Sequence, residues 1–345
     1  MNRTAAALTG LGALVVVAVV LAVSVGSVAI PFGTTARYLF TGDTGTGRWT
    51  TLIEDIRLPR VVTAACAGAA LAVAGLLMQT LFANPLADPY ILGVSSGASL
   101  GVALVVLGSG TGAGVFAAVA GTGRLGIAAA AAVGALAVLL VVLAISRWIR
   151  SVVTLLIVGI MVGSVTSAVV SLLVAFSQPA QMQQFILWGL GSYSGASWSD
   201  LRVLVPAVLV GVVLAATLVR ALNAMLLGED YADSMGVHLL RTRTVAITSA
   251  ALLAGAVTAF CGPIAFLGIA VPHLARLVLG TSDHRVLLPG AILMGAAVSL
   301  LCSVVAQLPG RDGVLPLNVV TALVGAPVVI LVLMRSRRAR AGGVA

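Results

Sequence analysis

The chain has 345 residues, 60% of them hydrophobic and only 8% charged, and carries a formal net charge of +9. Such a balance excludes a water-soluble domain, in which about half of the residues are apolar and about a quarter charged. Every basic residue is an arginine; a P-loop sets a lysine on the nucleotide phosphates, so the chain is not itself a P-loop ATPase.

The arginines are scattered between apolar runs rather than gathered in one patch, which fits membrane orientation and anionic lipid, not nucleic acid. Runs of about twenty apolar residues recur, each long enough to cross a ~30 Å hydrocarbon layer as a helix. Backbone polar groups must be satisfied internally there, so the expected fold is an all-α integral membrane bundle.

The first span is expected at residues 9–30. Residues 31–56, rich in Gly and Thr and holding Asp43, Arg48, Glu54 and Asp55, read as an external loop with a short surface helix. A second span follows Arg57-Leu58-Pro59-Arg60 and ends near Phe82, because the prolines of Asn84-Pro85-Leu86-Ala87-Asp88-Pro89 cannot continue a helix. The third, 91–108, sets Gly93, Gly97 and Gly101 four residues apart, a ladder that lets helix backbones approach closely. A Gly-rich external loop leads to a fourth span at 124–146, closed by Arg147 and Arg150. The fifth, 152–176, carries Gly159, Gly163, Ser164, Ser167 and Ser171. Residues 178–199 are too polar to span, with a short helix expected at 182–190 on the outer surface, and a sixth span occupies 201–220.

A polar island from Arg220 to Arg243 follows, the only long charged interruption in the middle of the chain. Within it, Gly228, Glu229, Asp230, Tyr231, Asp233, Met235 and Gly236 read as a short helix: the acidic start suits the positive dipole end, and Gly236 suits a left-handed stop. Leu227, Tyr231 and Met235 would share one apolar face.

Beyond the island no charge appears between Thr244 and Ala275, a run that could be one tilted span or two short ones broken at Cys261-Gly262-Pro263. The arginine-rich tail, residues 335–340, and the island both belong inside by the positive-inside rule, so an even number of spans must separate them. Helices at 244–261, 264–280, 287–307 and 317–334 satisfy this. The total is ten spans with both termini cytoplasmic, residues 1–345 forming one transmembrane domain with its coupling segment at about 221–243.

Ion-coupled transport usually leaves ionisable groups at membrane depth. Asp88, Asp200, Asp283 and Asp312 instead fall at span ends or in loops, and His238, His273 and His284 sit near the inner face, far apart in sequence. Cys66, Cys261 and Cys302 lie in apolar runs at unrelated spacings and mark neither a disulfide nor a metal site. No catalytic, cofactor or metal residue is expected, and the energy for transport must enter at the island. The lack of intramembrane charge disfavours the alternative, a secondary ion-coupled transporter of a small organic solute. The weakly polar fifth span is the candidate wall of a path, with Ser151 and Thr154 at its inner mouth.

Several motifs together carry a family resemblance. Arg57-Leu58-Pro59-Arg60, Gly75-Leu76-Leu77-Met78-Gln79-Thr80, Asn84-Pro85-Leu86-Ala87-Asp88-Pro89, Leu92-Gly93-Val94-Ser95-Ser96-Gly97-Ala98 and Leu187-Trp188-Gly189-Leu190-Gly191-Ser192 stand in order along the chain. So do the segment from Leu227 to Val237, Gly262-Pro263-Ile264-Ala265-Phe266-Leu267-Gly268, Pro272-His273-Leu274-Ala275-Arg276 and Thr321-Ala322-Leu323-Val324-Gly325-Ala326-Pro327. The whole resembles the permease family of bacterial ABC importers for ferric siderophores, haem and cobalamin. Ala83, Val314 and Asn318 depart from residues common in that family.

The resemblance implies a multi-pass protein of the bacterial cytoplasmic membrane, working with a second permease subunit, cytoplasmic ATP-binding subunits and an extracytoplasmic solute-binding protein to move a metal chelate. It makes residues 229–237 the helix that couples to the ATPase. Arg57, Arg60 and Arg311 match arginines that pair with carboxylates of the binding protein, and an exposed arginine fork suits that task.

Overall fold

The computed structural model describes residues 3–26, 28–44, 47–108, 118–119, 121, 123–146, 148, 152–307 and 314–341, and the regular secondary structure among them is all helical. In chain order the helices are α1 (Arg3–Ser24), α2 (Phe32–Thr41), α3 (Gly47–Thr51), α4 (Leu58–Leu81), α5 (Val94–Val106), α6 (Arg124–Ser146), α7 (Val152–Ala175) and α8 (Pro179–Gly189). There follow α9 (Trp198–Thr217), α10 (Val219–Met225), α11 (Glu229–Ser234), α12 (Leu239–Cys261), α13 (Leu267–Leu279), α14 (His284–Ala306) and α15 (Leu317–Ala341). A π turn over Leu52–Arg57 joins α3 to α4, so the second span begins at Gly47, before the Arg57-Leu58-Pro59-Arg60 boundary that the sequence suggests, and much of the expected loop at 31–56 is helix.

Among the described residues seven helical stretches are long and apolar enough to cross a membrane, and three shorter apolar ones, α5, α13 and the first part of α15, stand at the other expected positions. The two short helices α5 and α13 have 13 residues each, about 20 Å at ~1.5 Å per residue against a ~30 Å layer. Non-helical backbone precedes each: residues 82–88 with the 3-10 turn Pro89–Leu92 lead into α5, and residues 262–266 into α13. Such backbone is tolerated at depth only where protein satisfies it. Here the Tyr90 hydroxyl accepts from Ile264 N and Thr258 Oγ1, both at 3.3 Å, while Asn318 Oδ1 accepts from Ala265 N at 3.0 Å. The break after Cys261 falls where expected.

Nearly all of α4 is buried, and glycines set how close its neighbours come. A Cβ on Gly68 would meet the Gly295 carbonyl of α14, and one on Gly75 the Gly268 carbonyl of α13. The ladder in α5 works the same way: Gly97 and Gly101 face Gly134 and Ala130 of α6. Gly93 lies outside the helix, as its left-handed N-cap with φ 78°. Gly75→Ala is expected to cost about 1–3 kcal/mol through overpacking, read as a fall in the thermal unfolding midpoint in detergent. Gly12→Ala, inside α1 with no atom within 4 Å, should not lower it.

Candidate functional site

The polar island folds as its sequence requires. α11 starts at Gly228 (φ 109°) with Glu229 and Asp230 in its first turn. It stops where Gly236 (φ 81°) lets its N–H donate to Asp233 O at 2.9 Å and the Val237 N–H donate to Ala232 O at 3.0 Å. This pair of reversed bonds is the Schellman stop, and it satisfies carbonyls that a helix end leaves open. Ala232, fully buried, anchors the helix from below, while Leu227, Tyr231 and Met235 are 66%, 54% and 60% exposed. Only Tyr231 lies on the six-residue helix itself; the non-helical Gly228 sets Leu227 before it and Met235 caps its end, so the three form an exposed apolar cluster around a buried alanine rather than one helical face, a knob without a socket among the described residues. Asp230 and Asp233 flank the cluster, also exposed.

Two links tie this knob to the bundle. Glu229 accepts from Arg243 Nη2 at 2.6 Å, joining α11 to α12, so Glu229 holds the knob in place more than it extends the surface. The second link begins on α10. Asn223 Oδ1 accepts from the backbone N–H and from Nδ1 of His284, both at 2.8 Å, and Asn223 Nδ2 donates to Asp283 Oδ1 at 2.6 Å. A backbone N–H can only donate, which fixes the orientation of the amide and puts the imidazole proton on Nδ1. His284 Nε2 then lies 2.9 Å from Thr80 Oγ1 at the end of α4. Asp283 caps α14; the Arg285 N–H and the Asn223 amide hold its carboxyl below the usual carboxylate range. Beside it Gln79 bridges α4 to α13, donating to Ile269 O at 3.1 Å and accepting from Arg276 Nη1 at 2.8 Å. His273 Nε2 lies 2.7 Å from Pro85 O. These two histidines are thus structural partners of backbone, hydroxyl and amide groups.

A groove of about 460 Å³ separates α7 from the turn at Pro89–Leu92 and α5. Ser96, Ser164 and Ser167 line it with Gly93, Gly159 and Gly163. The Ser164 hydroxyl donates to Ile160 O at 3.0 Å, so the wall offers mild polarity already satisfied within its own helix. Ser171 is exposed farther along α7 and outside that lining, its hydroxyl donating to Ser167 O, and Thr154 is exposed near the start of the helix. Gly159 is a packing residue as well: a Cβ there would lie 2.6 Å from the Ile91 carbonyl. Ser151 and Arg311 lie outside the described residues.

Arg57 and Arg60 are not the exposed fork that the sequence suggests. They are 2% and 4% exposed. Arg57 donates to Val25 O at 2.6 Å and Val28 O at 2.8 Å, and Arg60 to Ala22 O at 2.8 Å and Val25 O at 3.2 Å. The Ala22 and Val25 carbonyls lie at the end of α1, at the negative end of its dipole, and Val28 O in the segment just after it; two guanidinium groups from the next span satisfy them. Gly26 makes room, because a Cβ there would overlap the Arg57 guanidinium. Glu54, the acidic neighbour in the preceding turn, accepts instead from the Tyr38 hydroxyl at 2.9 Å. Arg60→Met strips a donor from buried carbonyls and is expected to cost about 1–3 kcal/mol, measured as a lower unfolding midpoint of the purified chain.

Sequence reasoning missed Asn223 and the stitching role of Asn318, whose Nδ2 donates to Gly189 O at 3.1 Å and Pro263 O at 2.8 Å. The signal was present: each is an amide at the edge of an apolar run, where an unpartnered polar group is costly.

Comparison with known proteins agrees with this architecture. The pattern of the FecCD transport family matches residues 14–335. The hemin transport system permease protein HmuU of Yersinia pestis is 35% identical over 96% of this chain and 97% of its own length. The vitamin B12 import system permease protein BtuC of Citrobacter koseri is 36% identical over 96% and 94%. A solved structure of a metal-chelate type ABC transporter in an inward-facing conformation superposes with a TM-score of 0.82 at 28% identity, covering 95% of this chain and 98% of the other.

Proposed function

The chain belongs to the FecCD transport family, and from that membership we propose that it forms the path by which a bacterial ABC importer takes a ferric siderophore, or haem or cobalamin, across the cytoplasmic membrane. The chain is a transport subunit, and the ATPase resides on a separate one. In the proposed arrangement ten spans leave both termini and α11 in the cytoplasm. A second permease subunit, identical or paralogous, completes the path, and a solute-binding protein delivers the chelate outside. Of the arginines matched to that docking, Arg311 is the one we retain.

The observation that carries this reading is the exposed apolar cluster at α11, with Tyr231 on the helix, Leu227 just before its N-cap and Met235 at its C-cap, which a cleft on a partner could grip. Closure of two ATP-binding subunits would displace the knob, and the Glu229–Arg243 and Asn223–His284 links would pass the displacement to α12, α14 and α4. The chelate brings its own metal ligands, so a wall of weakly polar serine hydroxyls lets it pass without holding it.

Proteoliposomes containing this chain with its ATP-binding subunits, second permease and binding protein test the proposal. ATP-dependent accumulation of a ferric siderophore, haemin or cobalamin is expected, and the chelate accumulated identifies the substrate. Accumulation by the chain alone that collapses with the proton gradient would overturn it.

A further inference from the structure

Between the inner end of α9, α10 and the start of α12 lies another cavity, of about 660 Å³. Leu214, Leu218 and Val245 form its apolar wall, while Arg220, Arg241 and His238 stand among its lining with no acidic residue beside them. Arg220 and Arg241 are exposed and enter no ion pair among the described residues. Leu214 and Val245 belong to helices long enough to cross the membrane, Leu218 stands at the end of the first of them, and the arginines lie on the polar island next to this wall. Hydrocarbon-lined space topped by two unpaired guanidinium groups matches a molecule with a tail at one end and a phosphate at the other.

We propose that this cavity binds an anionic phospholipid of the cytoplasmic leaflet, its phosphate held by Arg220 and Arg241 and an acyl chain lying along Leu214, Leu218 and Val245. The choice of leaflet rests on the orientation proposed above. An acidic patch of a soluble ATPase is the less fitting occupant, because the wall rises along spanning helices where such a subunit does not reach. Met235 and Val237 also line the cavity, so the lipid sits behind the end of the coupling helix and braces α10 against α12.

The test counts lipids retained by the purified full-length chain in native mass spectrometry, with phosphatidylglycerol and phosphatidylcholine of identical acyl chains as probes. Two basic residues at an anionic surface predict a preference for phosphatidylglycerol on the order of 10-fold. The double variant R220Q/R241Q should lose it, while Arg202→Gln, at the opposite end of α9, should keep it. Ala221→Trp fills the cavity without touching charge and should weaken retention of phosphatidylglycerol. Equal retention of the two lipids by the parent chain overturns the proposal, as does an unchanged preference in R220Q/R241Q or undiminished retention in the Ala221→Trp variant. A double variant that keeps its lipid preference but no longer binds the ATP-binding subunits assigns the arginines to that protein contact and overturns it too. Lipid retention needs neither ATP nor chelate, so failure of the importer reading and failure of the lipid site show in separate measurements.

Discussion

Replacing Gly236 by valine is expected to cut uptake sharply while ATP hydrolysis by the assembled importer continues. Gly236 holds φ at 81°, where a Cβ meets the following carbonyl at a cost of roughly 1–2 kcal/mol for an ordinary residue, and β-branching adds to it. Space is not the obstacle, since nothing lies within 4 Å of a Cβ built there. The valine variant would open the reversed bonds to Asp233 and Ala232, unwind the end of α11 and scatter the cluster. Uptake per ATP should fall by at least about 10-fold, as loss of about 1.4 kcal/mol of preference for the competent geometry implies. Gly236→Asn is the control, because asparagine tolerates the left-handed region and should retain most uptake. Paired uptake and phosphate-release assays in proteoliposomes decide it. Equal uptake by the valine variant and the parent would remove α11 from the coupling role.

The other large effect is expected at Asn223. Alanine there deprives two donors of buried His284, the backbone N–H and Nδ1, of their acceptor. Each unsatisfied buried donor costs about 1–3 kcal/mol, so Asn223→Ala should lower the unfolding midpoint by several degrees and reduce uptake more than hydrolysis. Asn223→Asp keeps the acceptor oxygen for His284 but sets a carboxylate, in place of the donating amide, against that of Asp283, so it should lie between the alanine variant and the parent. Thermal unfolding and uptake per ATP, measured on both variants, give the order. An aspartate variant as impaired as the alanine one would mean that the contact with Asp283, not the acceptor for His284, governs how α10 meets α14.

Gly236 and Asn223 differ in how far along the chain their reasons lie. Gly236 is legible in the sequence, because a glycine after an acidic start and an apolar stripe is a local signal that depends only on neighbouring residues. Asn223 is not, because its partners lie 60 and 61 residues away, and Thr80, at the far end of the same chain of bonds, lies 204 residues from His284. Arg57 and Arg60 mislead for the same reason. An arginine at a span boundary is equally consistent with a solvated fork and with a buried cap for a neighbouring helix, and the carbonyls that decide between them lie 29 to 38 residues earlier.

From residue order alone follow the membrane, the helical class, the break after Cys261 and the short capped helix of the island, since hydrocarbon allows few backbone solutions and glycine and proline act on their own surroundings. Folding in three dimensions decided which glycines bring helices together, how the backbone before α5 and α13 is satisfied, and which polar side chains bind the island to α4. Those outcomes depend on pairings between distant segments, and an apolar composition this uniform leaves many such pairings open until the side chains meet.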